Sequence, residues 1–274
     1  ISAIFIGSDD ELLVLGAEKS RIEKESGAAL LSSPIQVLSI ARDKWKTFEF
    51  LRAKGLPVAY SSLPDEYEGL VREFGFPLVV KPRQGYGSLH FYVAKNIEEV
   101  KQAVSAIKNA GWDPIVQQYL QGEEFTSGVC IDRKGKDVMA SISICKKIKH
   151  GQTYKAFIDD YANIRSSAEN IALAIGARGC INIQTIFDGR TPVVIEINPR
   201  FSATCPMRAV AGVNEPDIIF RNTVLNEDIR IDRYSRLVCL RYWNEVYVPF
   251  YDYDLIQKEG AIDGNNGSFV PDGL

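Results

Sequence analysis

The segment Glu196-Ile-Asn-Pro-Arg200 constrains the fold more than any other part of the chain. In a strand, side chains alternate between the two faces, so Glu196, Asn198 and Arg200 share one face and the isoleucines share the other. Pro199 cannot continue a central ladder, so the strand ends there and its polar face opens to a cleft. Carboxylate and amide oxygens bind hard cations, and guanidinium binds phosphate. We therefore predict a phosphate and magnesium site, with a polar strand end and an ordinary salt bridge as the alternative.

Gln184 extends this prediction to a neighbouring strand. It lies twelve residues before Glu196, and residues 188–192 have the composition of a loop. If these five residues join two antiparallel strands, Gln184 faces Glu196 across the ladder and Phe187 faces Val193. Gln184 would then offer a second oxygen to the same cation. An amide satisfied within the sheet fits the sequence equally well.

A glycine-rich segment follows a short apolar strand that ends at Lys81. Gly85, Gly87 and Ser88 come next, and backbone N–H groups in such a loop can wrap phosphate oxygens while the lysine adds a point charge. The spacing matches neither a Walker A motif nor a dinucleotide fingerprint. A glycine-rich hairpin with a surface lysine remains the alternative interpretation.

A third segment combines the end of an apolar strand with an acidic pair. Gln117, Gln118 and Leu120 form the strand end, and Glu123 and Glu124 follow it. A backbone segment of this kind can hydrogen-bond an adenine ring, and a carboxylate suits ribose hydroxyls. Taken alone, the two glutamates fit a solvated surface as well.

The order of the predicted elements limits the fold class. Strands at 2–7 and 28–32 flank a helix over 10–25 that Asp9 can cap, which makes one parallel βα unit too small to be a domain alone. A helix over 36–54 carries Lys44, and two α+β segments with mostly antiparallel strands follow. A doubly wound sheet would alternate strand and helix throughout, so we predict an α+β (α/β) fold of another kind.

Charge and cysteine usage exclude several classes of partner. The net charge is −3 with Lys and Arg spread along the chain, which argues against nucleic-acid and membrane surfaces. No apolar run approaches the ~20 residues of a membrane span. Five cysteines without a CxxC spacing predict reduced thiols in a cytoplasmic protein.

Together these segments, in this order, resemble the ATP-grasp superfamily. The resemblance runs from about residue 9 to 226 and is greatest to the ATP-binding module of carbamoyl-phosphate synthetase large subunits and related carboxylate–amine ligases. It implies two α+β subdomains that grip ATP, preceded by a partial N-terminal domain. The implied divisions are a partial βα domain at 1–35, a helical first part at 36–75, a lid at 76–120 and a central metal and substrate subdomain at 121–274.

The resemblance also implies a role for each motif. The implied sites are phosphate binding by Lys44, Lys81, Gly85, Gly87 and Ser88, adenine and ribose binding by Gln117, Gln118, Leu120 and Glu124, Mg²⁺ (or Mn²⁺) binding by Gln184, Glu196 and Asn198, and catalysis by Arg200 and Lys81. Gln117 departs from the family pattern, because many members have Glu there.

The implied activity is an ATP- and Mg-dependent ligation of a small carboxylate to an amine or ammonia through an acyl phosphate. Two alternatives stay open: a carbamoyl-phosphate synthetase-like phosphorylating module that needs a partner, and an ATP-binding regulatory module without turnover. A homodimer is compatible with the resemblance. Two segments are candidates for substrate contact: residues 202–208, and a basic stretch that contains Lys146, Lys147, Lys149, His150 and Lys155.

Overall fold

The computed structural model describes residues 1–85, 87, 89–149, 151–242 and 247–260. Ser88 and His150, both of which the sequence analysis singled out, lie outside the described residues. The chain divides into two compact units, one from Ile1 to Cys239 and one from Leu240 onward, and the second contains helix α10 (Phe250–Glu259). Within the described ranges, no helix is long and apolar enough to cross a membrane.

The first unit begins with the predicted parallel strand pair. Strand β1 (Ala3–Phe5) pairs with β2 (Ala29–Leu31), and two helices connect them, α1 (Asp9–Ala17) and α2 (Lys19–Ser26). The prediction of one helix capped by Asp9 is wrong. The helix is interrupted at Glu18, which separates α1 from α2. Ser8 is the N-cap of α1, because its hydroxyl accepts a hydrogen bond from the Asp10 N–H at 3.2 Å. The carboxylate of Asp9 is therefore available for contacts elsewhere.

The long helix predicted over 36–54 is also two helices, α3 (Ile35–Ala41) and α4 (Lys44–Ala53). Asp43 separates them, because its carboxylate accepts hydrogen bonds from the N–H groups of Trp45 at 2.9 Å and Lys46 at 3.4 Å, which is the geometry of an N-cap. The apolar spacing continues across the break and hid it in the sequence. As a result Lys44 is the first residue of α4 and is buried.

A four-stranded antiparallel sheet follows, with the order β3–β6–β4–β5. Its strands are β3 (Ser61–Ser62), β4 (Leu78–Pro82), β5 (Tyr92–Ala94) and β6 (Pro114–Gln118), and its helices are α5 (Glu68–Phe74) and α6 (Ile97–Asn109). One face packs on these helices through Leu78, Val80 and Val116. The alternate residues, Lys81 among them, point to the other face.

A six-stranded sheet forms the largest layer, with the order β11–β10–β7–β8–β9–β12. Its strands are β7 (Glu123–Ile131), β8 (Val138–Lys149), β9 (Gln152–Ile158), β10 (Gly179–Phe187), β11 (Val193–Asn198) and β12 (Leu237–Leu240). Helix α7 (Ala162–Ala174) packs against this sheet, and helices α8 (Cys205–Val210) and α9 (Glu215–Thr223) follow β11 along the chain. Buried apolar residues fill two clusters that both include residues of the sheet.

Strand β8 extends to Lys149 and pairs with β9, which the sequence analysis did not predict. Lys146, Lys147 and Lys149 therefore lie on β8 and Lys155 lies on β9, so these basic residues belong to two paired strands.

The predicted antiparallel pairing of β10 with β11 is confirmed at Gln184. Gln184 lies opposite Glu196. The predicted pairing of Phe187 with Val193 is wrong by one residue, because an irregularity between Gln184 and Thr185 places Ile186 opposite Val193.

Candidate active site

A cleft of about 550 Å³ lies where residues of the two sheets meet. This volume is within the range of small-molecule sites, roughly 300–1,000 Å³. Ten of the predicted site residues line it: Lys44, Lys81, Gly85, Gly87, Gln117, Gln118, Leu120, Glu124, Gln184 and Glu196. The predicted residues Asn198 and Arg200 do not line it; Asn198 is the last residue of β11, and Arg200 lies just beyond that strand.

Apolar side chains make up much of the remaining wall of the cleft. They come from both sheets, from the segment between β4 and β5 and from the segment after β6: Val79, Leu89, Phe91, Val93, Tyr119, Ile148, Ile186 and Ile195. A wall of this kind suits a flat, weakly polar ring, whereas the charged groups are gathered around the two lysines.

Two buried lysines from separate elements contact β11, the strand that carries Glu196. Lys44, at the start of α4, places its Nζ 3.6 Å from a carboxylate oxygen of Glu196. Lys81, on β4, donates a hydrogen bond to the backbone carbonyl of Ile195 at 3.3 Å. The exposed fractions of the two lysines are 9% and 7%, so their positive charges are held largely out of water.

Burial perturbs Lys81 strongly. The loss of hydration, followed by the charge of Lys44, lowers the pKa of Lys81 from 10.5 to about 8, although Glu196 and Glu124 act in the opposite direction. Buried positive charge that its neighbours compensate only in part is typical of functional sites. An anion bound between the two lysines would compensate it.

The oxygen-bearing face predicted for a cation extends over two paired strands. Gln184 on β10 lies opposite Glu196 on β11, and Asn182 lies opposite Asn198. The side chain of Glu196 is partly exposed to the cleft, whereas Asn198 is buried. Three of these residues, Gln184, Glu196 and Asn198, carry the carboxylate and amide oxygens that a hard cation prefers.

Lys146 joins two predicted site residues and was not predicted as one of them. Its ammonium group contacts a carboxylate oxygen of Glu124 at 2.8 Å and donates to the amide oxygen of Gln184 at 2.8 Å. In the sequence it was one of several basic residues offered as a substrate contact. The alternation along β8 could have separated it from Lys147, which pairs with the more exposed Glu123.

The side chain of Gln117 is committed within the protein. Its amide donates to the hydroxyl of Ser61 at 3.0 Å, on the neighbouring strand β3. The backbone of Gln118 still belongs to the sheet, donating to the carbonyl of Tyr60 at 2.8 Å. Tyr119 and Leu120 follow the last residue of β6 and line the cleft.

Arg200 is held by a residue from the N-terminal βα unit. Its guanidinium forms an ion pair with Asp9 and donates to the carbonyl of Phe201 at 2.9 Å. Asp9 also lies 2.8 Å from a guanidinium nitrogen of Arg42, which makes it the shared partner of two arginines. No pattern in the sequence indicated this contact, which joins residues 191 positions apart.

Arg208, within the second predicted substrate segment, is fully buried and paired with Glu215 at 2.9 Å. Its guanidinium also donates to Asn182 at 2.6 Å and to Thr126 at 3.2 Å. A buried guanidinium destabilises the fold unless it is paired and hydrogen-bonded in this way. Arg208 therefore connects α8 and α9 to strands β7 and β10 of the six-stranded sheet.

The thiols of Cys130 and Cys180 lie beside this pair, within 4.8 Å of an oxygen of Glu215. The hydrogen bond with Cys130, together with burial, raises the pKa of Cys180, and burial raises the pKa of Cys205 to about 12. Because Glu215 is already paired with Arg208, we interpret this cluster as protonated thiols packed in the core.

Comparison with known families identifies the family to which the chain belongs. The family model described as the ATP-grasp domain matches residues 41–204, which is more than half of the chain. The chain belongs to the ATP-grasp family. The matched range contains both lysines, the other residues that line the cleft, and β11.

Individual relatives are distant. The large chain of carbamoyl phosphate synthase from Helicobacter pylori (strain ATCC 700392 / 26695) is 25% identical over 257 residues, which cover 87% of this chain and 24% of that protein. D-alanine–D-alanine ligase from Desulforudis audaxviator is 26% identical over 218 residues, 70% of this chain and 71% of the ligase. This chain thus spans about a quarter of the length of the synthase.

Solved structures share the fold of this ATP-grasp chain. The biotin carboxylase domain of Hydrogenobacter thermophilus 2-oxoglutarate carboxylase, solved with MgADP and bicarbonate, superposes with a TM-score of 0.67 at 20% identity, covering 86% of this chain and 55% of that one. N5-carboxyaminoimidazole synthetase from Staphylococcus aureus, solved with ADP, gives 0.66 at 16% identity over 92% of this chain and 66% of its own.

Proposed function

We propose that this ATP-grasp chain uses Mg-ATP to phosphorylate a small carboxylate, which an amine or ammonia then attacks. The observation that carries the proposal is the convergence of Lys44, Lys81 and Glu196 in one cleft. Two buried cations and an oxygen-bearing strand are what a magnesium triphosphate requires, and each comes from a different element of the fold.

In this proposal the nucleotide lies between the two sheets. The apolar wall, with Val79 and Ile186, receives the base, and the segment that contains Tyr119 and Leu120 supplies backbone groups to its edge. Glu124 receives the ribose. Since Lys146 pairs with Glu124, ribose binding would compete with that ion pair or share its geometry.

The residues present fit a magnesium ion. Glu196, Gln184 and Asn198 would hold it, since they place one carboxylate and two amide groups on adjacent paired strands. When bound, the ion neutralises and orients phosphate oxygens. Lys146 would be a competitor for the oxygen of Gln184, with which it forms a hydrogen bond.

The protein's own contribution to phosphoryl transfer is positioning and charge neutralisation. A carboxylate oxygen attacks the γ-phosphorus, the bond to the bridging oxygen breaks, and ADP leaves. Lys44, Lys81 and Arg200 balance the charge of the transferring group. An amine nitrogen then attacks the acyl carbon, phosphate leaves, and the nitrogen loses a proton.

The names of the relatives favour this class of reaction but leave two forms of it. The similarity to D-alanine–D-alanine ligase, 71% of which this chain covers, supports a ligase that joins two small substrates. The carbamoyl phosphate synthases support a phosphorylating module that works with further chain or a partner. A regulatory ATP-binding module is the third candidate, and the charged groups gathered for γ-phosphate argue against it.

ADP and phosphate release with Mg-ATP tests the proposal, measured against pooled carboxylic acids and amino acids, with and without bicarbonate plus ammonia. Stimulation by an acid and amine pair supports a ligase, and stimulation by bicarbonate and ammonia alone supports the synthase-like module. Tight Mg-ATP binding without stimulated release in any pool would contradict both and favour the regulatory module. Glu196→Gln is the matched inactive control.

A further inference from the structure

Asp9 is a buried carboxylate with two cationic partners and no other salt-bridge partner in the described part of the chain. It is the first residue of α1, where the helix dipole favours a negative charge. Its oxygens meet Arg42 at 2.8 Å and Arg200 in a shorter ion pair. The exposed fractions of the three side chains are 5%, 11% and 18%, so water screens these charges poorly.

Both partners of Asp9 belong to segments that carry proposed phosphate-binding groups. Arg42 is the C-cap of helix α3 and lies two residues before Lys44. Arg200 follows Asn198 by two residues at the end of the metal strand. One carboxylate from the N-terminal βα unit therefore links the two segments that approach the proposed phosphates.

The contacts of Arg200 fix the orientation of its guanidinium group. One terminal nitrogen donates to the carbonyl of Phe201 at 2.9 Å and the other pairs with Asp9, so the plane of the guanidinium is held from two sides. Without the carboxylate, Arg42 and Arg200 would repel each other, and a long side chain would lose its fixed geometry.

We propose that Asp9 is a positioning residue that holds Arg200 in place for the transferring phosphoryl group. This inference rests on the proposed function, since it requires Arg200 to bind that group. It makes the N-terminal βα unit part of the catalytic machinery. Asp9 itself is not among the residues that line the cleft.

The test uses Mg-ADP alone and Mg-ADP with aluminium fluoride, which mimics the transferring phosphoryl group, in a competition assay against a fluorescent ADP analogue. Three variants are compared with the wild type: Asp9→Asn, Arg42→Met and the neighbouring, exposed Asp10→Asn. Asp9→Asn and Arg42→Met both break the contact between Asp9 and Arg42, but only Asp9→Asn releases Arg200. Circular dichroism establishes that each variant is folded.

We expect Asp9→Asn to leave the Mg-ADP affinity within about twofold and to lower the affinity for Mg-ADP with aluminium fluoride about tenfold, the scale of a lost charge-assisted hydrogen bond. Arg42→Met and Asp10→Asn should bind both probes as the wild type does. In an Arg200→Gln background, Asp9→Asn should have no further effect. Should Asp9→Asn fail to fold, Asp9→Glu, which moves the carboxylate by one methylene, should give the same selective loss.

Equal losses in Asp9→Asn and Arg42→Met, or a loss that persists undiminished in the Arg200→Gln background, would overturn the proposal and make the cluster a structural contact only. Unchanged aluminium fluoride binding in Asp9→Asn would overturn it as well. Failure of the wild type to bind Mg-ADP is a separate result, which would overturn the proposed function and this inference with it.

Discussion

Replacing Lys81 with methionine should stabilise the folded protein while removing its proposed activity. Burial and the charge of Lys44 lower the pKa of Lys81 to about 8 in the folded protein, whereas an unfolded lysine titrates near 10.4. The folded state therefore resists protonation of Lys81. Below pH 8 Lys81 is protonated in both states, and the free-energy cost of burying its charge destabilises the folded state in full. As the pH rises towards about 10.5, this cost disappears.

The size of the effect follows from the pKa difference. A difference of about 2.5 corresponds to about 3 kcal/mol, since each pKa unit is worth about 1.4 kcal/mol. Methionine has a similar volume and no charge, but it loses the hydrogen bond to Ile195, which costs about 1 kcal/mol. We therefore expect Lys81→Met to raise the free energy of unfolding by about 2 kcal/mol near pH 7.

Urea unfolding of Lys81→Met and wild type near pH 7 and near pH 10.5, followed by circular dichroism, measures this difference. Lys101→Met, on the exposed face of α6, is the control and should change stability little at either pH. The gain should be present near pH 7 and absent near pH 10.5. A loss of stability near pH 7, or a gain of equal size at both values, would refute the argument that Lys81 is held as a costly buried cation.

Three further predictions concern the site and its support. Glu196→Gln should lower Mg-ATP turnover about a hundredfold or more, because it removes the only carboxylate among the proposed metal ligands. Glu11→Gln, at an exposed position of α1, should leave turnover unchanged. Equal turnover in the two variants would refute the metal role. Mg-ATP affinity should be flat below pH 8 and fall about tenfold per pH unit above it as Lys81 loses its proton, and titration calorimetry that finds the same decline in Lys81→Met would contradict this origin. Gly128→Ala should destabilise the fold by more than about 3 kcal/mol, because the new Cβ would lie 1.8 Å from the buried Glu215 carboxylate, whereas Gly69→Ala, with open space around it, should be neutral or stabilising in thermal unfolding.

Local spacing was enough to predict much of the metal strand. Alternation along a strand and a short loop put Gln184 opposite Glu196, and the structure has that pairing. The irregularity after Gln184 was not predictable, because a single extra residue in one strand leaves no mark in the hydrophobic pattern.

The burial of Lys44 depends on a helix break that the sequence contains but disguises. Asp43 has the chemistry of an N-cap, yet the apolar spacing of α3 continues into α4 and favours one long helix. Recognising the cap would have placed Lys44 at a helix start. It would not have shown that Glu196 lies beside it, which depends on packing between distant elements.

The ion pairs around the site were beyond sequence analysis for the same reason. Asp9 was interpreted as a helix cap, because its local context suits one, and its contact with Arg200 arises only when the N-terminal unit packs against the metal strand. Lys146 was one of several basic residues in a stretch that the sequence analysis offered for substrate contact. Only the continuation of β8 places it between Glu124 and Gln184.

Trapping with hydroxylamine tests the central claim, the formation of an acyl phosphate, without knowledge of the natural amine. The protein is incubated with Mg-ATP, pooled carboxylic acids and hydroxylamine, and hydroxamates are identified by mass spectrometry. We predict a hydroxamate of one acid class, formed in proportion to ADP and absent with Glu196→Gln. ADP release stimulated by an acid without any hydroxamate, or equal hydroxamate from the variant, would contradict the account.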